Sequence, residues 1–166
     1  MNRILLFLLL LSACLSACTK STNVKAVVAA QAVKDKALIV NYLSSHGLPQ
    51  QHVDTSDVYY VIDTVGAGND LYTSSTSVTL GYTARQLTAN ETLGPVFAQT
   101  DKFHPSYVLG AVLRGWQLGI PQCKKGGTIT LFLPSRYAYG PFPQPGYNLP
   151  ANAVLVFVIT VYNITN

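Results

Sequence analysis

A chain of 166 residues has the length of one domain, about 100–200 residues, so a single hydrophobic core with short appendages is expected. Lys and Arg outnumber Asp and Glu 11 to 7, a net charge of +4, yet charged residues make up only 11% of the chain against ~25% in an average soluble domain. The basic residues are scattered, densest at Lys124 and Lys125, which excludes the clustered basic face of nucleic-acid binding, and the 49% hydrophobic content excludes intrinsic disorder.

At the amino terminus, Met1-Asn2-Arg3 supplies a short positive region before the unbroken apolar run Ile4 to Leu11. That run falls short of the ~20 residues that cross a bilayer core, so it reads as an export signal. Two cysteines follow in tandem, in Leu11-Ser12-Ala13-Cys14 and Leu15-Ser16-Ala17-Cys18. Each resembles the lipobox of bacterial lipoproteins, whose cysteine becomes the lipid-modified first residue of the mature chain. Cys18 is favoured, because it starts the mature chain on the polar run Thr19 to Asn23; Cys14 is the lesser candidate. The expected organisation is a signal peptide over 1–17, a tether over 18–25, a helical extension and linker over 26–56, and a folded domain over 57–166. A lipid anchor would hold that domain at the bacterial cell envelope, on the outer membrane facing the periplasm, as a monomer with its own core. Cys123 then stands alone, so no internal disulfide is expected and its thiol reads as packing.

Ala26 to His46 carries Ala32, Ile39, Tyr42 and Leu43 at helical spacing, with Gly47 as a stop and Pro49 two residues beyond. One amphipathic helix is expected there. Gln50 to Asp57 is polar and turn-like. Alternation then changes to period two in Val58 to Ile62, Val78 to Thr83 and Thr128 to Leu133, the pattern of strands with one buried face, with Gly66 to Asp70 as a loop between the first two. Val154 to Tyr162 is apolar on both faces and should lie mid-sheet, covered on both sides. Val112 to Gly119 suits a short helix with Trp116 facing inward. The fold class is α+β, an antiparallel sheet wrapped around a short helix and preceded by an N-terminal helix. The rigid apolar segment Pro141 to Gly146 is read as shaping a binding surface.

Several motifs in the second half share one order and spacing: Val112-Leu113-Arg114-Gly115-Trp116, then Gly126 before a strand, then Pro134-Ser135-Arg136-Tyr137-Ala138-Tyr139-Gly140, then Leu149-Pro150-Ala151-Asn152-Ala153-Val154-Leu155-Val156-Phe157. In register with them in the first half are Tyr82-Thr83 and Gly94-Pro95-Val96-Phe97. Together these resemble the FKBP family of peptidyl-prolyl cis-trans isomerases over roughly Asp57 to Ile164, with one extra residue near Tyr147 and Asn148. The resemblance implies an FKBP-like fold, rotation of X-Pro bonds in exported, unfolded, proline-containing chains, and no cofactor or metal.

Carried over position by position, the resemblance makes Trp116 the floor under a proline ring and Tyr82, Phe97 and Phe157 its walls. Val112 and Leu113 would line the entrance. The Leu113 N–H and the Tyr139 hydroxyl would hold the flanking carbonyls, and Tyr147, or Leu149 under a different placement of the insertion, would cap the rim. Tyr107 stands where the family often has phenylalanine. Two positions depart from the pattern: Ala98 replaces the aspartate after the pocket phenylalanine, and Gln144 replaces a frequent histidine.

These residue types suit that chemistry. Rotation about an X-Pro bond breaks amide conjugation against a barrier of ~18–20 kcal/mol without moving a proton to or from carbon. The twisted amide is less polar than the planar one, so an aromatic, water-poor pocket favours it over the ground state. A Ser-His-Asp hydrolase is excluded, since no G-x-S-x-G occurs and His46, His52 and His104 lie in polar or turn-like surroundings. No His, Asp or Glu cluster has metal-ligand spacing. The alternative is a catalytically weak or inactive FKBP-like module that binds peptides or chaperones clients at the envelope.

Overall fold

The structure, a computed structural model, describes residues 24–54 and 56–166. The expected signal peptide, Cys14, Cys18 and tether residues 18–23 lie outside the described residues. The chain falls into two compact units, Met1–Lys34 and Asp35–Asn166.

Helix α1 (Asn2–Ser45) includes Val24 and Lys25, which sequence spacing assigned to the tether. It ends as the sequence predicts: Gly47 adopts φ +62°, and the Leu48 N–H reaches back to the Leu43 carbonyl at 2.8 Å, a left-handed cap that satisfies an orphan carbonyl. From Asp35 on, the helix presents Ile39, Tyr42 and Leu43 to the sheet, where they pack with Tyr59, Leu87, Phe132, Val154 and Val156.

The sheet contains β1 (Gln51–His52), β2 (Tyr59–Thr64), β3 (Ser77–Leu87), β4 (Leu93–Gln99), β5 (Ser106–Val108), β6 (Thr128–Leu133) and β7 (Val154–Thr165). Its order is β1-β2-β6-β7-β3-β4, all antiparallel, with β5 paired to the start of β3. The expected mid-sheet strand is β7, paired with β3 along its length and with β6 over Leu155 to Thr160. Its cover on the second face stops early. Val154 and Val156 lie under α1, while Val158 and Tyr162 on the same face are exposed, because the α1 residues that pack here reach only the first residues of the strand.

Three strands escape the period-two reading. β1, only two residues long, lies inside the stretch Gln50 to Asp57 read as turn-like, where its pairing to Tyr59 and Tyr60 leaves no periodic signal. β4 is an edge strand with bulged register against β3 and carries Pro95, which only an edge tolerates since proline cannot donate to a ladder. β5 is three residues long, too short for any periodicity.

On the other face lies the larger core, formed by Val78, Leu80, Ile129, Leu131, Leu133, Leu155, Ile159 and Val161 against α2 (Arg114–Gly119). The helix sits directly on β6 because its contact face is glycine. A Cβ at Gly115 would lie 2.6 Å from the Leu133 side chain, and one at Gly119 would lie 2.5 Å from that of Leu131, both leucines being fully buried. Cys123, just beyond α2, is buried, and burial pushes its thiol up to about 11, so it packs as an uncharged group.

Gly119→Ala is expected to push α2 off β6 and lower unfolding stability by about 1–3 kcal/mol, the usual cost of forcing extra carbon into a filled core. Denaturant titration checks this; an unchanged midpoint and slope would mean that Leu131 yields freely.

Candidate active site

The short α2 is held at its entry. The Leu113 carbonyl accepts from the N–H groups of Trp116 and Gln117 at 2.9 and 3.1 Å, and the Gln117 side chain donates to the Val112 and Gly110 carbonyls at 2.9 and 3.2 Å. These bonds fix Val112 and Leu113 at the helix entry and turn Trp116 toward the sheet.

There Trp116 meets rings from two strands edge-on. Tyr82 of β3 lies 5.1 Å away with planes at 73°, and Phe157 of β7 lies 5.2 Å away at 89°. Phe97 of β4 continues the wall, 6.3 Å from Phe157 at 81°. Such edge-to-face pairs add about 0.5–1.5 kcal/mol each beyond area burial. Tyr147 caps the far side, 5.5 Å from Phe97 and loosely stacked on Tyr139 at 6.4 Å. The hollow so formed is open to solvent and lined by Tyr82, Phe97, Ala98, Val112, Leu113, Trp116, Tyr139, Tyr147 and Phe157. Its volume of about 130 Å³ is close to the ~150 Å³ that holds a benzene-sized ring.

The four residues read as floor and walls thus meet in one concavity together with Tyr139, with Val112 and Leu113 at its edge. Tyr107 does not line it; its ring stands perpendicular to Trp116 at 6.0 Å. Leu149 is not at the rim either. The segment from Gln144 to Leu149 closes on itself through paired backbone bonds of 2.9 and 3.1 Å, with Asn148 at φ +53°. This turn directs Leu149 into the core and leaves Tyr147 half-exposed at the mouth. Gln144, one end of the turn, is outside the lining.

No lining residue carries a formal charge. Burial, followed by the neighbouring phenols of Tyr107, Tyr147 and Tyr139, raises Tyr82 above the ordinary tyrosine value, and burial followed by Tyr147 raises Tyr139. Both are therefore neutral hydrogen-bond donors at any physiological pH. Among the described residues, nothing accepts from the Tyr139 hydroxyl or from the Leu113 N–H. The Trp116 indole N–H is buried without a partner among them. The site offers an apolar seat for a ring with unclaimed donors at its mouth.

Comparison with known proteins sets this geometry in a family. Residues 69–162 match the FKBP-type peptidyl-prolyl cis-trans isomerase family. The chain belongs to that family. Among curated FKBP-type relatives, the isomerase FkpA of Buchnera aphidicola subsp. Schizaphis graminum is 30% identical over 120 residues, covering 68% of this chain and 42% of the relative. FK506-binding protein 1 of Saccharomyces cerevisiae is 39% identical over 56 residues, 34% of this chain and 48% of that protein. The chain therefore spans less than half the length of either relative. Neighbours among solved structures share the fold. A peptidyl-prolyl cis-trans isomerase from Pseudomonas syringae pv. tomato matches with a TM-score of 0.65 at 20% identity, covering 81% of this chain and 95% of that one. FkpA from Escherichia coli matches with 0.61 at 21%, covering 85% and 64%.

An ultraviolet titration of phenolate absorbance, taken as the difference between the wild-type chain and Tyr139→Phe, is expected to isolate one phenol ionising above the ordinary value of 10.0, because desolvation penalises its anion. A component at or below that value would contradict the water-poor rim.

Proposed function

We propose that this chain is a peptidyl-prolyl cis-trans isomerase acting on proline-containing segments of unfolded exported proteins. The observation that carries the reading is the convergence of Tyr82, Phe97, Trp116, Tyr139 and Phe157 on one open, uncharged hollow of proline-ring size.

The hollow acts on the balance between planar and twisted amide. In the planar X-Pro bond, conjugation places partial negative charge on the carbonyl oxygen, which water stabilises. Twisting removes that charge and makes the nitrogen pyramidal. Transfer into an aromatic, poorly hydrated site therefore raises the planar form more than the twisted one, which is catalysis by differential binding. Trp116 under the ring and Tyr82, Phe97 and Phe157 around it supply the apolar contact. Two donors at the mouth fix the peptide on either side of the rotating bond, the Leu113 N–H and the Tyr139 hydroxyl. No proton is transferred and no covalent intermediate forms, consistent with a lining that contains no group titrating near neutrality.

Ala98 sits in the lining where the family pattern has aspartate, so the pocket edge loses a polar contact and keeps its apolar seat. Turnover below that of typical members, with peptide binding intact, follows from that change.

In an isomerase assay on a proline tetrapeptide, Trp116→Ala and Tyr139→Phe are each expected to lower kcat/KM by about tenfold or more, the scale of one lost hydrogen bond or ring contact of ~1.4 kcal/mol. Gln144→His is expected to change little. Wild-type chain that binds the peptide without turning it over would replace this reading with a peptide-binding module.

The tandem lipobox motif supports a second part of the proposal, that the domain is tethered by a lipid on Cys18 to the outer membrane of a bacterial envelope and works in the periplasm. Incorporation of labelled palmitate that disappears in Cys18→Ala and persists in Cys14→Ala is the expected result. Label retained in Cys18→Ala and lost in Cys14→Ala would move the anchor four residues upstream.

A further inference from the structure

Asp35 stands on the core-facing stripe of α1. With Ile39, Tyr42 and Leu43 it follows the i, i+4, i+7, i+8 spacing of the buried face, and it is 2% exposed. A carboxylate there is costly unless its oxygens are claimed. Its Oδ2 accepts two bonds from a single residue far along the chain, at 2.8 Å from the Ser135 N–H and 2.6 Å from the Ser135 hydroxyl. Charge-assisted bonds of this length are the strong class, and two from one residue fix position as well as distance.

The next residues along both segments are linked too. Lys36 lies 3.3 Å from Asp57, whose other oxygen accepts from Arg136 at 2.6 Å. The consecutive pair Asp35-Lys36 therefore engages the consecutive pair Ser135-Arg136, the second contact running through Asp57.

Ser135 in turn sets the backbone around Tyr139. Its carbonyl accepts from Ala138 N–H at 2.9 Å and Gly140 N–H at 2.8 Å, the residues on either side of the tyrosine, and the Gly140 carbonyl accepts from Asn152 N–H at 2.8 Å. The phenol is held at the rim by a turn referenced to Ser135, and Ser135 is referenced to Asp35.

We propose that Asp35 is a positioning residue for isomerisation: from α1, outside the matched residues 69–162, its buried carboxylate fixes Ser135 and so holds the Tyr139 hydroxyl at the mouth of the hollow. This rests on the donor role given to Tyr139 above.

A double-mutant cycle on the full chain tests it, with kcat/KM measured on a proline tetrapeptide well below the unfolding temperature. Asp35→Asn is expected to cost about tenfold in the wild-type background, inside the ~100-fold that a misplacement of one ångström can cause, and less than about twofold when Tyr139 is already phenylalanine. Equal losses in both backgrounds would overturn the proposal, since a general weakening of the fold does not depend on the phenol. No loss from Tyr139→Phe alone would overturn the donor role itself, a separate result. Should Asp35→Asn fail to fold, Ser135→Ala takes its place in the same cycle, because it removes the hydroxyl bond and keeps the backbone one.

Discussion

The site depends on how closely α2 approaches β6. Helices usually stand off a sheet by the thickness of interdigitating side chains. Here Gly115 and Gly119, one turn apart, present bare backbone to Leu133 and Leu131. Trp116, between them in sequence, is thereby brought down to the level of the β3 and β7 side chains and meets Tyr82 and Phe157 edge-on instead of riding above them. An indole one side chain higher would leave no floor. The hollow is thus a consequence of core packing, and neither Gly115 nor Gly119 can take a side chain without moving the helix.

Electrostatics follow from the same packing. Because the walls are aromatic and the mouth carries phenols in place of carboxylates, burial acts in one direction: it penalises the phenolate and keeps Tyr82 and Tyr139 as neutral donors. Ala98 at the edge leaves the lining without the polar contact that the family pattern has there.

Much of this was legible in the sequence where periodicity is strong. The buried stripe of α1, the helix stop at Gly47, the two-faced β7 and the inward turn of Trp116 each leave a pattern of period 3.6 or 2, or a glycine at a position that needs one. The pocket residues were legible only as a set, since a lone Trp116 or Phe157 reads as ordinary core. What escaped has physical reasons. β4 hides behind Pro95, which an edge tolerates and a pattern search penalises. β5 is too short for any period. Leu149 and Tyr147 exchange places relative to the rim according to a turn whose closure depends on Asn148 entering the left-handed region, and the sequence does not state which residue will do so. The second cover of β7 was overestimated because apolar residues persist on that face at Val158 and Tyr162 after α1 has ended.

Asp35 is the instructive omission. On a helical wheel it falls on the apolar stripe, where a carboxylate looks like a break in the pattern, and its partner lies a hundred residues away. Its presence there changes what α1 is for. The apolar contacts of Ile39, Tyr42 and Leu43 would seal the back of the sheet against almost any hydrophobic surface, because hydrophobic burial is non-directional. The two bonds from Ser135 are directional, and they can be made in one placement of helix against loop only. Apolar burial therefore supplies the adhesion and the buried carboxylate supplies the register, which joins a helix on one face of the sheet to a phenol at the opening on the other.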